Sequence, residues 1–305
     1  MPELVLENDR VSLRVLPELG GKISSLVSRR TDREWLWTNP VLERRSGLYG
    51  ESYIEFHDTG GIDECLPNVD ACKLPEQAGP WQGIALPDHG ELFHQCWQVL
   101  ESSTESISLQ ARGVRLPYTL RRVIELTHKG ALLRYRLDNL SPHALPFTWC
   151  IHPIFDVEPD MQIGLATGTP VRVAATGGHS PFQSGDQFVW PVLADGTDLS
   201  KIPDSTQPGY FAKLFAGPIS QDGFVSLSHW AETLRFRFDG DVIPSVAMWW
   251  NFGGWHGAGD ENYYNLALEP AIGDADSLAE ALTRGGACWV EPGEQAHWQL
   301  EIELD

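Results

Sequence analysis

Cysteine is scarce and unpatterned in this chain: five residues, Cys65, Cys72, Cys96, Cys150 and Cys288, with no Cys-x-x-Cys pair. That argues against a disulfide framework and a zinc-ribbon spacing, and it suits free thiols in a reducing compartment. Long hydrophobic runs are also missing. No stretch approaches the ~18 apolar residues that a membrane-spanning helix needs. The start, Met1-Pro2-Glu3-Leu4-Val5, lacks the basic and then apolar regions of a secretory signal, so a cytoplasmic location is expected. Positive charge is in deficit. With 22 Lys and Arg against 42 Asp and Glu, the formal net charge is −20. Neutralising phosphates needs a basic face, so neither nucleic acid nor an anionic membrane is an expected partner. Motifs for dinucleotides, nucleoside triphosphates, serine hydrolases and zincins are absent. The ten His are dispersed and never fall at i, i+4, so no metal site is expected.

Alternation with period two is what the chain has in abundance. It predicts strands over 12–15, 22–27, 118–126, 132–138, 147–151, 246–250, 266–268 and 298–304. Segments 224–228 and 233–238 read as a hairpin. Gly (29) and Pro (21) supply the turns that many short strands require. The fold class is therefore all-β, a large antiparallel β-sandwich or barrel with few short helices. One helix is expected over 277–282, capped by Asp276 or Asp274 and stopped by Gly285-Gly286. Residues 49–87 and 174–217 read as long aromatic loops, of the kind that cover or line a site. No break in composition divides the chain, so residues 1–305 are expected to form one domain.

Three positions stand out by context. His89 lies in a Pro- and Gly-bounded turn, Leu86-Pro87-Asp88-His89-Gly90-Glu91. His152 follows an apolar run and precedes Pro153, and Glu269 does the same before Pro270. Proline cannot donate to a ladder, so the strand bearing His152 is expected to end or to reach a sheet edge there, and Glu269 is expected at the end of its strand. A charge at the end of an apolar strand is costly unless paired, exposed or used. Taken singly, each has an ordinary structural role open to it: a turn hydrogen bond, a satisfied core histidine, a strand-end ion pair.

In combination these pieces resemble the galactose mutarotase-like, or aldose epimerase, superfamily. The resemblance is carried, in order, by Gly60-Gly61-Ile62-Asp63-Glu64-Cys65-Leu66-Pro67, the His89-Gly90 turn, His152, and Leu266-Ala267-Leu268-Glu269-Pro270. The closing Glu291-Pro292-Gly293-Glu294 fits as well, so the likeness spans nearly the whole chain. It implies a β-sandwich whose concave face binds a monosaccharide, with Glu269 as general base, His152 as general acid and His89 polarising the sugar. Opening a hemiacetal ring needs only a proton taken from the C1 hydroxyl and one given to the ring oxygen, so no cofactor is expected. The expected partner is a small sugar, with Asp63, Glu64, Trp249 and Asn251 binding it and Trp81, Trp250 and Trp255 as further stacking candidates. Where hexose-phosphate mutarotases of the superfamily carry phosphate-pairing Arg, this chain has Thr59 and Glu91-Leu92-Phe93, so an unphosphorylated substrate is expected. The superfamily's further substrate-binding Asp falls among Asp186, Asp195 and Asp198. A sugar-binding or sensor protein on the same fold is the alternative. A glycosidase or lyase would need a second carboxylate, for which Asp63 or Glu64 is available.

Overall fold

The computed structural model describes residues 3–204 and 209–305. Met1, Pro2 and residues 205–208 lie outside the described residues, and with them part of the N-terminal reading and part of segment 174–217. Alternation becomes sheet wherever one face can be buried. Along Glu232–Asp239 the side chains of Glu232, Leu234, Phe236 and Phe238 are buried while Arg237 and Asp239 face water. Each large apolar side chain so removed from water contributes ~1.5–3 kcal/mol.

Two large antiparallel sheets result, beside two two-stranded ribbons. The ten-stranded sheet runs Leu4–Glu7, Val11–Leu16, Lys22–Ser28, Gly61–Cys65, Trp149–Asp156, Tyr264–Ile272, Ser245–Phe252, Tyr210–Ala216, Pro170–Gly178, Gln187–Val189. The eight-stranded sheet runs Gln162–Gly164, Asp222–His229, Glu232–Asp239, Gln295–Leu304, Gly130–Asn139, Tyr118–Leu126, Ser106–Arg112, Gln98–Ser102. They pack face to face around one continuous apolar core that joins Leu13, Ile62 and Phe155 of the first to Leu120, Leu133 and Phe236 of the second. The all-β sandwich expected from the alternation is what the chain forms, and the hairpin pairs Ser228 with Thr233.

Four local expectations need correcting. Within 49–87 the stretch Gly61–Cys65 is a buried strand of the large sheet, and its adjacent carboxylates, Asp63 and Glu64, hid that in the sequence. Within 174–217 the strand Tyr210–Ala216 is likewise integral to that sheet. The helix is Leu278–Arg284; its cap is Ser277, whose hydroxyl accepts from the Glu280 amide, and Gly285 closes it at φ 76°. Finally, Trp149–Asp156 and Tyr264–Ile272 run straight through Pro153 and Pro270. Register passes from Cys150–Ala271 directly to Ile154–Ala267, so the prolines occupy unmade rungs between the two strands.

Candidate active site

That gap in the ladder is where the candidate residues sit. Asp63 pairs in register with His152, and Glu269 with Ala247, so Asp63, His152, Glu269 and Ala247 occupy neighbouring strands. Nε2 of His152 lies 3.9 Å from Oε1 of Glu269. Above His152 stands His89, at φ 56°, a left-handed conformation uncommon outside glycine but one that His adopts more readily than most residues. Gly90 follows it at φ 75°. A Cβ there would meet the Leu66 carbonyl at 2.3 Å, so glycine is required for the turn to dock. The His89 ring stacks on Tyr53 (centroids 3.8 Å apart, 10° between planes) and meets His152 edge-on at 5.2 Å.

The two imidazoles are held in opposite states. Burial opposes charge on His89, but the carboxylate of Asp88, 3.0 Å from Nδ1, outweighs it and the pKa is pushed up to about 9. For His152, burial is reinforced by the positive charges of His89 and Lys213, and the pKa falls well below the ordinary value. At neutral pH His89 is a cation and His152 is neutral. Among the described residues, Nδ1 of His152 is buried without a hydrogen-bond partner.

Lys213, which the sequence reading missed, is the third polar group. Its ammonium touches both oxygens of Glu269 at 2.9 Å and Asp276 at 3.2 Å. Burial works against its charge, but Asp276 and Glu269 hold it above the ordinary lysine range. Glu269 is completely buried beneath this cation, with the Cys150 thiol donating to its Oε2 at 3.6 Å. Beside Lys213, which pairs in register with Trp249, the rings of Trp249, Trp255 and Tyr263 meet edge-on in succession, centroids 5.6 Å and 5.9 Å apart.

The groups enclose a cleft of about 740 Å³ whose wall includes Tyr53, Asp88, His89, His152, Lys213, Trp249, Trp255 and Asp276. That volume suits a small organic ligand. No family model matches the chain, and no curated protein matches it. Solved structures do. The Slr1438 protein from Synechocystis sp. PCC 6803 superposes with a TM-score of 0.69 at 18% identity, over 100% of this chain and 96% of that one. A galactose mutarotase-like protein from Lactobacillus casei gives 0.68 at 18% identity, over 100% of each chain. A galactose mutarotase related enzyme from Lactobacillus acidophilus gives 0.67 at 16% identity, over 99% and 97%. The chain has the galactose mutarotase-like fold. Likeness at these identities speaks for the fold, and activity has to be argued from the site.

Set against this mutarotase-like fold, the expected site residues divide. His89, His152 and Trp249 line the cleft. Glu269 lies just under it, without a surface of its own. Asp63 is also beneath, paired with Lys22 and accepting from the Tyr53 hydroxyl, so it anchors the residue on which His89 stacks. Glu64 is a correction: strand alternation sends it to the opposite face, where Arg122, Tyr135 and Trp149 bond it between the sheets. Asn251 is another, because its amide is spent on the Trp255 backbone and it shapes the wall from behind. Trp250 faces the core, and Trp81 donates to the Ala144 carbonyl away from the cleft, whereas Trp255 does line it. Glu91 is buried against the Val114 and Arg115 amides and opposes nothing in the cleft. Asp186, Asp195 and Asp198 accept from nearby loop amides and are not on the wall. Neither Asp63 nor Glu64 supplies the second carboxylate of a glycosidase. Among the described residues no cluster of His, Cys, Asp or Glu is placed to hold a metal ion, and no helix is long and apolar enough to cross a membrane.

Proposed function

We propose that the cleft binds an unphosphorylated aldose or aldose derivative and interconverts its anomers by acid–base ring opening, as an aldose 1-epimerase does. The observation that carries this reading is the pair of imidazoles, 5.2 Å apart on one wall, whose neighbours leave one charged and the other neutral. Neutral His152 takes the proton of the C1 hydroxyl. The electrons left on O1 form the carbonyl, the bond from C1 to the ring oxygen breaks, and His89 gives that oxygen its proton. Rotation about C1–C2 presents the other face of the aldehyde, and the same steps in reverse restore both imidazoles. The Lys213 ammonium stabilises charge developing on O1. Glu269 then acts through Lys213 as a positioning residue, and not as the base that the superfamily resemblance implies, because it has no surface in the cleft. The indoles of Trp249 and Trp255, which line the same cleft, suit the C–H faces of a pyranose. The acidic Asp58, Asp70, Asp88, Asp276 and Glu280 outnumber the cations Lys213, Arg172, Arg284 and His89 around the cleft, which disfavours a phosphate dianion. The galactose mutarotase names of two structural neighbours agree with this reading.

The test is anomer exchange of freshly dissolved α-sugars, followed by polarimetry. His152→Ala and His89→Ala are each expected to lower the enzyme-catalysed rate by ~10²–10⁴-fold with the fold retained. Glu269→Gln is expected to lower it less. Near-wild-type exchange in both histidine variants would sink the assignment. The burial of Glu269 favours one second reading, a sugar-binding protein without catalysis. Tight binding with no rate enhancement in the wild type would select it.

A further inference from the structure

The groups that would do chemistry occupy one end of the cleft floor. Along Tyr264–Ile272 the side chains of Asn265, Ala267 and Glu269 alternate onto one face, so Asn265 stands four residues, ~13 Å, from Glu269. Register sets Asp156 beside Asn265 and Ile154 beside Ala267, and leaves His152 level with Glu269. Asn265 lines the cleft and is 2% exposed. On the same wall are Ile154, Trp249, Trp255 and Tyr263, which cluster with Ala267 and offer an amide nothing polar from their side chains' apolar faces. Among the described residues, Oδ1 of Asn265 is buried without a hydrogen-bond partner. Asn251, its cross-strand partner, shows the contrast: its Nδ2 donates to the Trp255 carbonyl at 3.0 Å and its Oδ1 accepts from the Trp255 amide at 3.2 Å. The fold satisfies one amide of the pair and leaves the other, a costly arrangement in apolar surroundings. Leucine would fill the position better unless the amide is used.

We propose that Asn265 is a specificity-determining residue, binding the hydroxyls that lie across the sugar ring from C1. The inference rests on the anomer-exchange reading, which puts O1 beside His152 and Lys213. A pyranose laid along the floor from there turns its C3–C4 edge toward the far end. A primary amide matches two neighbouring hydroxyls, one donating to Oδ1 and the next accepting from Nδ2. Trp249, in register with Ala267, lies between the two ends, where the ring itself would sit. The substrate class narrows to aldoses that keep their C3 and C4 hydroxyls.

The experiment takes glucose and its 2-, 3- and 4-deoxy analogues, in wild type and Asn265→Leu, measuring exchange by saturation-transfer NMR and affinity by calorimetry. In the wild type, 3-deoxy- and 4-deoxyglucose are expected to fall ~10–10²-fold below glucose in kcat/KM, the worth of a buried amide left without its hydroxyl. In Asn265→Leu, glucose and 2-deoxyglucose should fall by that same factor while the 3- and 4-deoxy analogues barely change. The urea midpoint of Asn265→Leu should equal or exceed that of the wild type, because an unpaired polar group leaves an apolar cluster. A lower midpoint with all four sugars weakened alike is what a purely structural role gives, and it would overturn the proposal. So would deoxy analogues that match glucose in the wild type. If no sugar is exchanged while the affinities still follow this pattern, the catalytic reading falls and the role of Asn265 stands. If exchange persists without the pattern, only the role of Asn265 falls. If nothing binds, both fall.

Discussion

His89 and His152 carry the same side chain, yet one is charged and the other neutral: the Asp88 carboxylate overcomes burial at His89, while burial and two neighbouring cations keep His152 unprotonated. The consequence is a pH profile whose signs can be worked out. Catalysis needs His152 unprotonated and His89 protonated. On the alkaline side, kcat/KM should fall through about 9, where His89 loses its proton. On the acid side, the fall should lie below the ordinary histidine value, where His152 gains one. Asp88→Asn removes the charge that holds His89 up, so the alkaline limb should move toward neutrality while the acid limb stays. Stability follows the same group. A folded pKa raised from 6.5 to about 9 means that the His89 contribution is complete below 6.5 and is lost as pH rises through 9. A pH–rate series on wild type and Asp88→Asn, with urea unfolding at each pH, checks both. An unmoved alkaline limb would show that another group carries it.

Among the elements, the turn that presents His89 and the strands that present His152 and Glu269 differ in how they could be read. The turn was legible, because Pro87, Gly90 and an intervening histidine announce it. The strands were legible in position and misread in extent: proline normally ends a paired strand, and here Pro153 and Pro270 sit within the rungs left unmade between Cys150–Ala271 and Ile154–Ala267, which they need not have donated to. The strand Tyr210–Ala216 was missed because it lies inside a Gly-, Pro- and Ser-rich stretch, and Lys213 with it. The signal that could have found Lys213 is the alternation Phe211, Lys213, Phe215, which places one cation among aromatics on a single face. The turn also makes a prediction at this scale. Gly90→Ala forces a side chain into a left-handed backbone and against the Leu66 carbonyl. It should cost ~2 kcal/mol or more in urea unfolding and lower exchange further than stability alone explains, because His89 is displaced. A neutral effect on both would contradict the docking described for that turn.

For the whole molecule, alternation and turn density were enough to give the fold class, since both report directly on a chain burying one face of many short strands. They could not say which carboxylates point inward. Asp63 and Glu64 are adjacent in sequence and end on opposite faces, one below the cleft and one between the sheets. The Glu64–Arg122 pair there has no exposed side chain on either partner and ties the two sheets together. Arg122→Met would strand a buried carboxylate and should destabilise the protein by ~3–5 kcal/mol, whereas adding Glu64→Leu should recover much of that. Urea midpoints of the single and double variants decide it, and a double variant as unstable as the single would contradict it. The central claim concerns two imidazoles in different protonation states at one hemiacetal, one charged and one neutral, and side-chain ¹⁵N NMR of the histidines in the intact protein tests it most directly. At pH 7.5 the account predicts one neutral imidazole, lost in His152→Ala, and one charged imidazole, lost in His89→Ala, with both resonances shifting when sugar is added. Two rings in the same protonation state, or resonances that ignore the sugar, would contradict it.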